Sequence, residues 1–388
     1  MNSQRPTPRP WAEWFANRIA DPVARLKFLQ SVTPLAVPRV RRRPFWQVAL
    51  AAAVLLAVLG SFLILRASAR VKIVVAATAP KADHAPPTPP VSPVWLVDRS
   101  TDSETYSNGL RVDTRFETAN HPRAYVAFPA DRPDRAAGVR RTQPAGIVFH
   151  TTESRQIPFE ASTNGALKQI GESLIDFVAR RHAYHFLIDR FGRVYRIVRE
   201  SDAAEHAGYS VWSDDTWLYL NLNESFLGIS FETKTEPGQE EPTVSPAQIH
   251  AAAMLTEMLR GRYRISAGNC VTHAQVSVNP ENMRVGLHTD WASSFPFAQL
   301  GLPDNYARPL PSLTAFGFEY DATFVQWAGT RLYAGVELAE QELARDAAAS
   351  GVTVGELRKM LRKRYRARLA EAMAMRGSGE ALEGSGTR

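Results

Sequence analysis

From Pro44 to Leu65 the chain reads PFWQVALAAAVLLAVLGSFLIL without a single charged side chain. At about 1.5 Å of rise per helical residue, such a run crosses a hydrocarbon layer of roughly 30 Å. The sequence therefore predicts one transmembrane helix over residues 44–66. Arg39, Arg41, Arg42 and Arg43 precede the run, and Arg66, Arg70 and Lys72 follow it. This excess of positive charge on the N-terminal side puts residues 1–43 in the cytoplasm and the bulk of the chain outside. Ala67-Ser68-Ala69 resembles a cleavage site. The segment ahead of it is too long for a signal peptide, and the apolar run exceeds the roughly 7 to 15 residues of one, so an uncleaved anchor is expected.

Beyond the anchor, residues 67–93 are rich in alanine and proline, ending in ATAPKADHAPPTPPVSP, a stiff linker that carries a domain away from a bilayer. The 388 residues and 45% apolar content leave ample sequence for a folded domain, expected over residues 94–310. The formal charge of +7 favours anionic surroundings. No arginine-aromatic module points to nucleic acid. Cys270, the single cysteine, cannot form an internal disulfide and reads as a small buried apolar residue.

Within the domain, Gly146–His150 predicts a short buried strand, and Asn164–Arg181 carries Leu167, Ile170, Leu174, Phe177 and Val178 at helical spacing. Tyr184–Ile188 and Arg193–Val198 flank Asp189-Arg190-Phe191-Gly192 as a hairpin, and Leu227–Thr233 adds another strand. Ser245-Pro246-Ala247-Gln248 is a capping box that opens a helix running to about Arg262. Interleaved strands and helices predict an α/β fold with a mixed central sheet flanked by helices. Residues 311–388 predict a helical basic extension, with helices over Val336–Ala347 and Val354–Met375 and a disordered tail from Gly377. The basic run Arg358, Lys359, Arg362, Lys363, Arg364, Arg366 and Arg368 reads as a solvated face, or alternatively as a wall- or lipid-binding patch.

Among the nine histidines, His150 ends an apolar strand, His273 follows the strand-like Cys270-Val271, and His288-Thr289-Asp290 offers two more possible ligands. A catalytic zinc needs three nitrogen, sulfur or oxygen side chains and an open position for water, which a His, His, Asp set supplies.

Five segments together resemble the type 2 N-acetylmuramoyl-L-alanine amidases, relatives of phage lysozyme-like amidases and peptidoglycan recognition proteins. They are GIVFHTTES at 146, YHFLIDRFGRVYRIV at 184, AEHAGYS at 204, NESFLGISFET at 223 and THAQVSVNPENMRVGLHTDWASSFPF at 272, in that order. The resemblance implies the mixed central sheet with a zinc groove at one edge, and it places the metal ligands at His150 and His273. The family's closing segment resembles K-x-D-P-G-P-x-F-P-W. Laid on His288-Thr289-Asp290 and the Phe295-Pro296-Phe297 ending, it puts the third ligand at Asp290 and an assisting cation at His288. Asp290 follows His273 by 17 positions, longer than the family pattern, so His288 stays open as the alternative ligand. The same resemblance makes Tyr184 the hydroxyl beside the metal, and His206, Ser210 and Asn223 a substrate-facing rim. Tyr184 and His185 alternate across a strand, so only one of them faces the metal.

One position departs from the pattern. Ser230 stands where relatives carry a general-base glutamate. Glu232, two residues on and on the same strand face, is the candidate replacement, with a plain solvent-facing glutamate as the other reading. The activity implied is zinc-dependent cleavage of the amide between N-acetylmuramic acid and L-alanine in peptidoglycan, at the outer side of a bacterial inner membrane. The alternative is a peptidoglycan-binding protein without catalysis.

Overall fold

The computed structural model describes residues 93–383 other than 132, 135, 136 and 240. The predicted anchor over 44–66 lies outside the described residues, as does the linker up to residue 92. Among the described residues no helix is long and apolar enough to cross a membrane.

In chain order the strands are β1 (Leu96–Arg99), β2 (Ser103–Tyr106), β3 (Arg111–Asp113), β4 (Tyr125–Pro129), β5 (Val139–Arg141) and β6 (Gly146–Thr151). Helix α1 (Asn164–Arg180), the hairpin β7 (Phe186–Ile188) and β8 (Val194–Arg196), and strands β9 (Val211–Ser213) and β10 (Trp217–Leu220) follow. Then come the single turn α2 (Leu222–Ser225), β11 (Phe226–Phe231), α3 (Pro246–Tyr263), β12 (Cys270–Thr272), α4 (His273–Val276), and the small pair β13 (Val278–Asn279) and β14 (Arg284–Val285). The chain closes on α5 (Pro311–Phe316), α6 (Ala322–Ala349) and α7 (Val354–Glu383).

The main sheet has eight strands in the order β1-β2-β3-β8-β7-β11-β6-β12. Strands β7, β11, β6 and β12 run parallel, so their C-terminal ends share one edge. Every residue of β6 and β11 is buried, the pattern of strands covered on both faces. Alternation divides them: Ile147, Phe149, Leu227, Ile229 and Phe231 pack in one core with Leu255, Met258 and Leu259 of α3. Val148, Phe226 and Val271 pack on the opposite side with Trp212 and Tyr219 of a second, antiparallel sheet ordered β5-β4-β10-β9.

The capping box at the start of α3 is formed as predicted: Gln248 N donates to Ser245 Oγ at 3.1 Å and Ser245 N to Gln248 Oε1 at 3.1 Å. Helix α1 is rotated from the predicted face. It buries Leu167, Gly171, Ile175 and Val178 and leaves Phe177 exposed.

The basic residues of α7 depart most from the expected solvated face. Arg358 donates to the Phe318 carbonyl at 2.6 Å and pairs with Glu340 at 2.5 Å. Arg362 pairs with Glu319, and Arg364 with Asp134 beside the second sheet. Arg368 donates to the Pro133 carbonyl and lies 5.0 Å over the Phe128 ring. Tyr365 packs edge-on against Phe316 and Phe318. A long amphipathic helix is stable when its apolar stripe is covered, and here these arginines carry its other contacts onto the domain. Lys359, Lys363 and Arg366 keep the exposed face.

Candidate active site

The site lies where the parallel strands end, the usual position for ligands in open α/β sheets. His150 is the penultimate residue of β6, paired in register with Ser230 of β11, and its side chain is buried. His273 follows directly on β12 as the first residue of α4. The two imidazoles meet with centroids 4.5 Å apart. Asp290 closes the group: its Oδ2 lies 3.1 Å from His150 Nδ1 and its Oδ1 2.8 Å from His273 Nδ1. The donor atoms of these three buried side chains lie within 4.8 Å of one another.

Burial and the neighbouring His273 charge push His150 down to about 4, with Asp290 working against them, so at neutral pH its ring is uncharged. Burial acts to raise the Asp290 carboxyl, but the neighbouring His273 and His150 outweigh it and hold it well below the usual carboxylate range. A neutral His150 beside an ionised Asp290 is the pair of protonation states a divalent cation requires of those two residues.

His206 fixes which nitrogen of His150 faces that carboxylate. His206 Nε2 sits 3.2 Å from the Phe226 carbonyl, which can only accept, so Nε2 carries the proton and Nδ1 accepts. His150 Nε2 lies 3.1 Å from that Nδ1 and is therefore the donor. This leaves a lone pair on His150 Nδ1 directed at the Asp290 carboxylate. Two acceptors facing each other at 3.1 Å repel unless a cation lies between them. The residues fit a metal ion, with His150 Nδ1, His273 Nδ1 and Asp290 as its ligands.

Tyr184 precedes β7 in the left-handed region at φ 65°. Its ring centroid lies 5.0 Å from that of His150, and its hydroxyl faces Ser230. Burial, reinforced by the Asp290 charge, raises the phenol, so the hydroxyl stays a proton donor at neutral pH. His185 takes the other side, with Nδ1 accepting from Gly228 N at 2.9 Å and Nε2 against Asp202 O and Arg123. The two side chains do part, but both precede β7, which begins at Phe186, so the left-handed turn at Tyr184 rather than strand alternation separates them.

His288 stacks on His273 at 4.7 Å but lies exposed at the rim, outside the three-ligand group. Of the two residues left open as third ligand, the fold brings in Asp290. The Phe-Pro-aromatic ending explains why: Phe295 stacks on Phe149 of β6 at 4.4 Å, and Trp291 Nε1 donates to the His150 carbonyl at 2.9 Å, locking the segment over the strand end.

Other predicted positions are placed differently. Glu232 is buried, and Arg190 grips it: its Nε donates to Oε1 at 2.7 Å and its backbone N–H to Oε2 at 3.1 Å. Both carboxylate oxygens are occupied, so Glu232 neither faces solvent nor joins the His-His-Asp group. His206 sits behind His150 rather than on a substrate rim, because its ring is held between that imidazole and the Phe226 carbonyl. Ser210 accepts from Leu222 N at 2.8 Å and donates to Gly208 O, bracing its own loop. Asn223 Oδ1 accepts from the backbone N–H groups of His206, Ala207 and Gly208 at 2.9, 2.6 and 3.1 Å, clamping that loop. Asn223 also lines a groove with Gly208, Tyr209, Leu369 and Met373. Glu153, within the GIVFHTTES motif but not singled out there, stands just beyond the same strand end. The signal was its place one turn of chain beyond His150.

A family profile described as N-acetylmuramoyl-L-alanine amidase matches residues 140–289. The curated N-acetylmuramoyl-L-alanine amidase AmiD of Escherichia coli (strain K12) is 33% identical over 89 residues, which is 22% of this chain and 31% of that protein. The matched stretch thus spans about a third of that relative's length. Among solved structures, E. coli AmiD in complex with anhydro-N-acetylmuramic acid-L-Ala-D-gamma-Glu-L-Lys is 20% identical, covering 63% of this chain and 88% of its own at a TM-score of 0.33. The Clostridium intestinale amidase LysC is 23% identical, covering 41% of this chain and 83% of its own at a TM-score of 0.26. The Drosophila peptidoglycan recognition protein SD is 20% identical, covering 43% and 85% at a TM-score of 0.27. The five motifs and the His150, His273 and Asp290 cluster overlap or adjoin the matched residues 140–289, and it is this stretch of the chain that is similar to the type 2 N-acetylmuramoyl-L-alanine amidase family.

Proposed function

We propose that this protein is a zinc-dependent N-acetylmuramoyl-L-alanine amidase that hydrolyses the amide between the lactyl group of N-acetylmuramic acid and L-alanine in peptidoglycan or its fragments. The observation that carries the reading is the convergence of His150, His273 and Asp290 on one point, with a neutral Tyr184 hydroxyl beside it. His150 and His273 would hold zinc through Nδ1 and Asp290 through a carboxylate oxygen. Bound there, the metal lowers the pKa of a water towards about 7 and polarises a carbonyl.

The chain's own groups do the rest. His206 keeps the His150 lone pair turned to the metal position. Tyr184, held as a donor by its raised pKa, gives a hydrogen bond to the oxygen that gains charge as the amide carbon becomes tetrahedral. His288, which stacks on His273 at the exposed rim, would assist the same oxygen from the solvent side. In this reading the Pro44–Leu65 helix anchors the chain in the inner membrane with the domain on the periplasmic or exterior side.

Ser230 at the strand position facing Tyr184, with Glu232 taken by Arg190, favours a second reading, a binding protein without catalysis. One experiment separates them. Purified full-length protein is assayed for zinc, and digested peptidoglycan for free stem peptides beginning with L-alanine. Metal with peptide release supports the enzyme. Metal with wall binding and no release leaves the binding protein.

A further inference from the structure

Amide hydrolysis needs a group to take a proton from water and hand one to the departing amine. Glu232 is saturated by Arg190. Tyr184 is held protonated, and Asp290 is held between two imidazoles.

We propose that Glu153 is the catalytic base and acid of this site, a role resting on the amidase reading above. Glu153 follows His150 at the end of β6, in a left-handed turn at φ 52° that lifts it onto the sheet edge. Its Oε1 accepts from the Thr151 hydroxyl at 2.5 Å and from Thr235 N at 3.1 Å. Thr235 Oγ1 in turn accepts from Trp291 N at 2.9 Å, the residue after Asp290, so the carboxylate is built into the frame that holds the third ligand. Those hydrogen bonds converge on Oε1 and none of them engages Oε2, and the residue is exposed to the solvent a substrate must cross.

The charges acting on Glu153 are Asp290 and Glu236, and its own charge acts on Tyr184. Although the residue as a whole is exposed, partial burial around its carboxyl and then the Asp290 charge raise it against the hydrogen bonds from Thr151 and Thr235, which moves its affinity for a proton towards that of a working base.

The step balances with water alone. Glu153 Oε2 takes one proton from water as the water oxygen bonds the lactyl carbonyl carbon. The tetrahedral centre then collapses with rupture of the carbon–nitrogen bond, and the proton on Glu153 passes to the alanine nitrogen. The products are a lactyl carboxylic acid and a free amine, and Glu153 is a carboxylate again.

The test uses full-length wild type, Glu153→Gln and Glu153→Asp, read by stem-peptide release over a pH series, zinc content and melting temperature. Gln keeps an Oε1 acceptor for Thr151 and Thr235 N, so a residue that only braces the loop would lose almost nothing on this change. A base would lose about 100- to 10,000-fold in kcat with KM and zinc content unchanged. The acidic limb of the kcat/KM profile should vanish from the residual activity of Glu153→Gln, while Glu153→Asp should retain it with part of the rate. Near-wild-type turnover in Glu153→Gln, or an unchanged acidic limb, overturns the proposal and leaves the amidase reading standing. A zinc-loaded wild type that releases no stem peptide overturns both.

Discussion

His150 Nε2 lies 3.1 Å from His206 Nδ1, and their rings cross almost at right angles, with an interplanar angle of 82°. The contact depends on a close approach from the neighbouring strand: a Cβ built on Gly228 would stand 2.6 Å from His206 Cγ. His206→Ala removes the acceptor that holds His150 in its ligating tautomer, and Gly228→Ala displaces the same ring without touching it chemically. Both should lower zinc affinity by about 10- to 100-fold, the usual effect of losing such a backing hydrogen bond. Chelator competition measures it. Unchanged affinity in both variants would show that His206 has no influence on the metal.

Asp290 and His288 should separate cleanly. Asp290→Ala loses metal and turnover together, because an incomplete ligand set no longer retains the ion. His288→Ala keeps its zinc and loses roughly 100- to 1000-fold in kcat, the scale of one oxyanion donor. Metal analysis beside the peptide-release assay checks both, and zinc loss in His288→Ala alone would exchange their roles.

For Glu232 the expected effect is on stability. Glu232→Ala leaves Arg190, whose side chain is 8% exposed, as a buried charge without its carboxylate, which costs about 3–5 kcal/mol. Denaturant midpoints report this loss. A variant as stable as wild type but inactive would restore Glu232 as a catalytic group.

Away from the site, Glu104 anchors Arg196, Arg99 and the Tyr106 hydroxyl. Burial alone would raise its carboxyl, but Arg196, Tyr106 and Arg99 bring it down to about 2 from the ordinary 4.5. A depressed carboxylate stabilises the fold fully above its unfolded pKa and loses that contribution as pH falls through the folded one. Stability should therefore drop between about pH 4.5 and 2 through this group, and Glu104→Gln should flatten that part of the curve. Thermal melts over the acid range test the sign.

What was legible in the sequence follows from how local each signal is. The β6 strand, the hairpin around Asp189 and the capping box at Ser245 depend on neighbours within a few residues, and all three formed. His150 and His273 each stand at the end of an apolar run, but that signal is weak alone, and it was the resemblance to the amidases that singled them out as candidate ligands. The second sheet was not, since β4, β5, β9 and β10 are short and its exposed rim carries residues such as Arg140 and Arg141 that obscure any alternation. Helix α6 begins well before the predicted Val336 because Gly329, at φ 61°, interrupts it and hides its first turns from a periodicity reading. Glu232 falls one residue beyond β11 and His206 lies in a loop, and their partners Arg190 and Phe226 O are distant in sequence, so only folding reveals that both side chains are already occupied.

The extra residues between His273 and Asp290 form the β13–β14 pair, and the outer strand of that pair is joined to the C-terminal extension. Val285 N donates to Glu319 O, Glu319 N to Met283 O, and Arg284 pairs with Asp321 at 2.8 Å. Gly286 leaves room there for Phe324, whose ring a Cβ would meet at 2.2 Å. The second and third ligands are thus spaced by a segment whose far side belongs to helices that contribute no ligand. Occupancy of the metal site and docking of those helices are consequently coupled equilibria, and the coupling must be equal in both directions. Zinc should slow proteolysis within α6 and α7, and loosening those helices should weaken zinc by the same factor.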